Sequence, residues 1–125
     1  MSATPPVPSS RPRIVDAAFW CWIGAAALTA LLQAAWRSPV MSELISSMPI
    51  VGLDGTMRRR LVGNSVAGQA HIKTGLLSDA RAMAGYVLDR NGRRLIVVMV
   101  VNHPAAPESQ LAMDALLRWV YDGAR

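Results

Sequence analysis

The only lysine of this 125-residue chain stands in Lys73-Thr74-Gly75, within His71-Ile72-Lys73-Thr74-Gly75-Leu76-Leu77. An ammonium and a hydroxyl on one strand face can clamp a carboxylate through charge-assisted hydrogen bonds. A glycine beside them lets an extended ligand come close to the backbone. The tripeptide alone is weak, because it equally describes an ordinary strand with one solvated lysine. Other chemistries have less support. His71 and His103 share no ligand spacing with Cys21, so no metal site is expected. Either histidine could serve a Ser or Cys nucleophile, but a structural or solvent-exposed role is the simpler reading. His71 shares a strand face with Lys73 and could line a rim. There is no G-x-S-x-G elbow and no phosphate-binding loop, and no cofactor is expected. Glu43, Glu108 and the six aspartates are isolated, so no carboxylate pair suggests acid-base work.

Length allows one small domain with a modest core. Slightly over half the residues are apolar, which excludes a disordered chain. The net charge is +5, and all the basic residues except Lys73 are arginines. Only Arg58-Arg59-Arg60 and Arg93-Arg94 cluster. The triplet reads as a solvated loop, and no nucleic-acid partner is expected. Cys21, between Trp20 and Trp22, reads as a buried inert thiol, and a single cysteine forms no disulfide within the chain.

The elements that would position Lys73 can be read from the pattern. Residues 1–13, rich in Pro, Ser and Arg, read as a flexible tail. From Ala17 to Leu32 the only polar side chain is Thr29, and the run continues to Trp36. Residues 17–36 approach the ~20 apolar residues of a membrane span, with Arg11 and Arg13 as a positive flank. A buried helix presenting Trp20, Gly24, Ala27 and Leu31 is the competing reading, and an artefactual start the third. A short helix follows, with Ser38 as N-cap, Pro39 in its first turn and Pro49 as its stop. Three antiparallel strands are predicted over Ala70–Leu77, Ala80–Leu88 and Arg94–Val101. Ala82, Ala84, Tyr86 and Leu88 share one face of the second, while Met83, Gly85 and Val87 share the other. Asp89-Arg90-Asn91-Gly92 predicts a tight hairpin built on the positive φ angles that Asn-Gly tolerates. The unalternating run Leu95–Val101 predicts a strand covered on both faces. A last helix carries the stripe Leu111, Ala112, Ala115, Leu116, Trp119 and Val120 and ends at Asp122-Gly123.

Several short segments in order resemble the penicillin-binding D-alanyl-D-alanine carboxypeptidase/endopeptidase family, larger relatives of the serine β-lactamases. They are Leu31–Pro39, Met48–Arg58, Ala67-Gly68, Lys73-Thr74-Gly75, Ala84-Gly85-Tyr86-Val87, Asn91–Arg94 and Val101-Asn102-His103. The resemblance implies an α+β fold that is part of a β-lactamase-like transpeptidase domain: a helix, three antiparallel strands, then a C-terminal helix. Residues 30–125 would be the C-terminal part of that domain, and residues 1–29 a tail and apolar leader unlike the family. In the family, S-x-x-K, S-x-N and K-T-G meet at one cleft. By resemblance Lys73 and Thr74 clamp the terminal carboxylate of a peptidoglycan stem peptide, or of a β-lactam in the complete enzyme. Gly75 admits the substrate and the Leu76 N–H is one of two oxyanion donors. Many relatives carry Ser or Thr at the position of Leu76, so a hydroxyl contact is missing here.

The larger departure concerns the nucleophile. Three residues before the only lysine stands Ala70, so S-x-x-K cannot occur in this chain. Asn64, Asn91 and Asn102 are preceded, two residues back, by Val62, Asp89 and Val100, so S-x-N is absent too. The expectation is a fragment of a serine-type carboxypeptidase, inactive alone and periplasmic by family. A small membrane-anchored peptidoglycan- or partner-binding module is the alternative. Three strands alone would leave an open edge and uncovered apolar faces, unless the apolar leader covers part of the sheet.

Overall fold

The computed structural model describes residues 14–123, with side chains from Ile23 onward. The tail 1–13 and the Cys21 side chain lie outside the described residues. Six main elements follow in order: α1 Ile14–Trp36, α2 Met41–Ser47, β1 Ala70–Leu76, β2 Ala80–Leu88, β3 Arg94–Asn102 and α3 Gln110–Tyr121. Short 3-10 turns lie at Gly55–Met57 and Ala106–Ser109. The strands form one antiparallel sheet in the order β1-β2-β3.

Each face of the sheet is covered by one helix. Ile72, Met83, Val87 and Val97 point to the α3 side and pack with Met113, Leu117 and Val120. Ala84, Ile96 and Val98 point to the α1 side and pack with Leu32, Trp36 and the fully buried Tyr86. The split along β2 follows the two-residue period of a strand, as its sequence predicts. The unalternating apolar residues of β3 are explained by the same two covers.

Both helices turn differently from the stripes read in sequence. Leu32 is buried while Leu31 is 61% exposed, so α1 is rotated relative to the Trp20–Gly24–Ala27–Leu31 face. In α3 the buried residues are Met113, Leu117 and Val120, while Leu111 is 80% and Trp119 52% exposed. Apolar residues occupy more than one side of each helix, and the register of packing chooses among them. Leu32 and Trp36, in the C-terminal turns of α1, thus cover one face of the sheet. Among the described residues no helix is long and apolar enough to cross a membrane. Ser38 does not cap α2: its hydroxyl donates to the Ala35 carbonyl at 2.8 Å, and Val40 is the N-cap.

The buried end of the α1 contact carries one polar link. Tyr86 donates its hydroxyl to the Leu32 carbonyl at 2.7 Å, and burial raises its pKa, so the proton stays in place. The Trp36 ring lies 5.2 Å from the Tyr86 ring, and the Arg94 guanidinium sits over the Trp36 ring. A buried bond of this kind contributes about 1 kcal/mol.

The β2–β3 loop differs from the tight hairpin expected. Only Gly92 has a positive φ, at 78°, and Asn91 does not. Asp89 N–H donates to the Arg93 carbonyl and Gly92 N–H to the Asp89 carbonyl. This is a wider loop in which a turn is followed by one left-handed residue. Asp89 organises it: Oδ1 accepts from the N–H groups of Asn91 and Arg93 at 2.9 and 2.8 Å, and Oδ2 accepts from Arg93 Nε at 2.9 Å. Its carboxylate is shielded by this loop though close to the molecular surface. Shielding from solvent opposes ionisation, but the Arg93 and Asn91 bonds outweigh it and hold the pKa below the usual value. A lowered folded-state pKa stabilises the fold above the unfolded pKa and is lost as pH falls through the folded one. The urea midpoint should therefore fall as pH drops from about 5 towards 3. Asp89→Asn should reduce that acid-dependent loss, and an unchanged pH profile in the variant would contradict this role.

Candidate functional site

The site begins with the way the irregular stretch before β1 meets the sheet. Val51, Met57 and Val66 are fully buried, so they anchor residues 49–69 to the core although the one regular element there is the 3-10 turn Gly55–Met57. Val51 N–H donates to the Ala70 carbonyl, and Ile72 N–H donates to the Pro49 carbonyl. These bonds cover the first half of the outer edge of β1. Ala70 and Ile72 therefore turn their backbone groups away from β2, and the strand period turns those of Thr74 and Leu76 the same way. Among the described residues, no backbone partner occupies the Thr74 N–H or the Leu76 N–H and carbonyl. The second half of the edge is open where the K-T-G motif lies.

The side chains divide around this edge. Thr74 follows Ile72 on the α3 face, whereas Lys73 follows His71 on the α1 face. The expectation that ammonium and hydroxyl share one strand face is thus corrected: adjacent strand residues point to opposite faces. Lys73 is exposed, and its Nζ bends to the edge to donate to the Thr74 carbonyl at 2.6 Å. His71 is half-buried, with Nδ1 shielded and unpartnered. His103 accepts the Ala105 N–H on Nδ1 at 3.0 Å in the turn after β3, a structural role.

Thr74, Gly75 and Leu76 line a groove of about 280 Å³ on the α3 face, together with Thr56, Arg60, Arg81, Gln110 and others. Lys73 is not among its lining residues. Thr56 comes from the turn Leu53-Asp54-Gly55-Thr56, and its hydroxyl lies 3.0 Å from that of Thr74. Thr56, Arg81 and Gln110 were not singled out in the sequence. The resemblance through Gly55-Thr56 is the only sequence signal for Thr56, and Arg81 and Gln110 lie outside every resembling segment. Arg60 is a further correction. It is not solvated with Arg58 and Arg59 but pairs with Asp114 of α3, with side chains 11% and 15% exposed. Arg60 Nε donates to Asp114 Oδ1 at 2.9 Å, and Nη2 makes a second short contact to the same oxygen.

A sequence profile of the D-Ala-D-Ala carboxypeptidase 3 (S13) family matches residues 22–120. The chain belongs to that family. Carboxypeptidase DacB of Mycolicibacterium smegmatis is 38% identical over 82 residues, covering 62% of this chain and 18% of the relative. Carboxypeptidase Rv3627c of Mycobacterium tuberculosis is 35% identical over 95 residues, covering 71% of this chain and 20% of the relative. The chain thus spans about a fifth of the length of these relatives. The fold agrees with the family. Penicillin binding protein 4 (dacB) from Haemophilus influenzae superposes with a TM-score of 0.59 at 21% identity, over 76% of this chain and 22% of that protein. The same protein complexed with a β-lactam gives 0.62 at 22% identity, over 77% and 24%. The helix, three antiparallel strands and C-terminal helix are therefore part of a DD-peptidase fold.

Proposed function

We propose that this chain forms one wall of a serine-type D-Ala-D-Ala carboxypeptidase cleft and performs no hydrolysis alone. The observation that carries this reading is the half-open outer edge of β1. Its free backbone groups at Thr74 and Leu76 can pair with an extended peptide as an added strand would. Gly75 carries no side chain to hold that peptide off. Lys73 and Thr74 bring a cation and a hydroxyl to the terminal carboxylate of a peptidoglycan stem peptide. The outward Leu76 N–H is a backbone donor suited to a developing oxyanion.

Acyl transfer needs a nucleophile and a base that activates it. The family's arrangement places a lysine three residues after a serine, and Ala70 occupies that position before the only lysine. The proposed division of labour leaves positioning to this chain and the covalent step to S-x-x-K and S-x-N residues not present in it. Its place of action would be the periplasm, where the polymer is.

A fluorescent β-lactam incubated with the purified chain should leave no covalent label after denaturing electrophoresis. A labelled band that competes with unlabelled penicillin would show a nucleophile here and overturn the assignment.

A further inference from the structure

The loop that joins β2 to β3 takes no part in the proposed cleft wall, yet it holds the one Asn-Gly pair of the chain, Asn91-Gly92. Both residues are exposed. An asparagine carboxamide can be attacked by the backbone nitrogen of the following residue. The new bond from that nitrogen to Cγ closes a five-membered succinimide, and the Cγ–Nδ2 bond breaks to release ammonia. Water then opens the ring to aspartate or isoaspartate. A side chain on the following residue crowds the closure, and glycine has none.

The structure separates Asn91 from the other two asparagines. Asn64 Oδ1 accepts from the Val66 N–H at 3.3 Å, and Ser65 follows it. Asn102 ends β3 in register with Ala80. The nitrogen that would attack it belongs to His103, whose N–H donates to the Asp79 carbonyl at 2.9 Å. Among the described residues the Asn91 side chain makes no hydrogen bond, since only its backbone N–H is engaged. Its Nδ2 would lie 3.7 Å from a Cβ built on Gly123, just beyond the end of α3.

One restraint acts on the attacking nitrogen. The Gly92 N–H donates to the Asp89 carbonyl at 3.0 Å, and it must leave that acceptor before the nitrogen can lose its proton. The Asp89 carboxylate holds the turn closed by accepting from the N–H groups of Asn91 and Arg93 and from Arg93 Nε.

We propose that Asn91 is a self-modification site, converted to aspartate and isoaspartate at a rate set by the Asp89 clamp. The product loosens the loop. A carboxylate at residue 91 stands near the negative end of α3, where an anion is unfavourable. The arginines of the loop do not offset it, because Arg90 pairs with Asp122 and Arg93 with Asp89. Isoaspartate also adds a methylene to the main chain, which shifts the neighbouring N–H groups off the Asp89 carboxylate.

The test incubates the intact chain in mildly alkaline buffer and follows chymotryptic peptides by mass spectrometry, each conversion adding one dalton. Asn91 should convert first, well ahead of Asn64 and Asn102. Asn91→Gln, whose longer side chain would have to close a six-membered ring, should remove this early phase. Asp89→Ala should speed conversion of Asn91 about fivefold, the equilibrium cost of opening one ordinary hydrogen bond. Arg93→Met, a milder change that removes one donor from the same carboxylate, should speed it by a smaller factor. Asn91→Asp should lower the urea midpoint. Conversion of Asn64 or Asn102 as fast as Asn91 would overturn the site. Equal rates in the parent and both clamp variants would overturn the control by Asp89, and an unchanged midpoint in Asn91→Asp would overturn the loosening.

Discussion

Replacing Gly85 by Ala should abolish the folded state, although the change adds a single methyl group. A Cβ built on Gly85 would lie 1.9 Å from the His71 carbonyl oxygen and 3.0 Å from the Ile72 Cα. Both are backbone atoms of the neighbouring strand, so no side chain can turn aside to make room. Gly85 pairs with Ile72 in the middle of β1 and with Val97 of β3, so relief would require β1 to move away from β2. That would break the ladder holding the open edge and expose Ile72 and Met83, both fully buried. A loss of at least about 4 kcal/mol is expected, in the range reserved for backbone clashes and core disruption. Circular dichroism of Gly85→Ala should show no cooperative thermal transition. A melting temperature within a few degrees of the parent would show that the strands separate more easily than their packing implies.

The second large effect concerns Asp114. Its pair with Arg60 ties the irregular layer before β1 to α3 across 54 residues of sequence. Asp114→Ala would leave the Arg60 guanidinium nearly buried without a counter-charge. Its remaining acceptors would be the Met57 sulfur and the Gln110 carbonyl, each at 3.5 Å. Breaking a buried pair from one side costs about 3 kcal/mol, more than the pair contributes over an apolar replacement of both members. Arg60→Met combined with Asp114→Leu should therefore recover much of the loss, a coupling that a double-mutant cycle measures through urea midpoints. If Asp114→Ala costs less than about 0.5 kcal/mol, the pair is solvated as an ordinary surface bridge would be.

These two positions also show where sequence reading reached its limit. Ala84-Gly85-Tyr86-Val87 resembles the family, and the strand period puts Gly85 on the α3 face of β2, where the structure has it. The reason for glycine there is a carbonyl 14 residues upstream, which no local pattern reveals. Arg60 stands in a run of arginines that reads as solvated, and its partner Asp114 lies in another element. Lys73-Thr74-Gly75 was found because a motif is local. Arg81 was not, because the sheet register alone brings it to the groove.

Short-range order was written in the chain: the three strands, their antiparallel sequence, the two faces of β2 and the breaks at Pro49 and Gly92. Those features follow from steric preferences and a two-residue period, which depend on neighbours along the backbone. Kinship with the S13 carboxypeptidases was legible for the same reason, as were the missing serine-lysine and serine-asparagine spacings. Tertiary packing alone decided which side of α1 and α3 meets the sheet, because each helix has apolar residues on more than one side. The strand period itself sets Lys73 and Thr74 on opposite faces, but packing decided that the β1 edge is sealed at Ala70 and Ile72 and open beyond. The physical reason is that hydrogen bonding and burial pair residues by distance in space, and the folded sheet, rather than the order of residues, sets that distance.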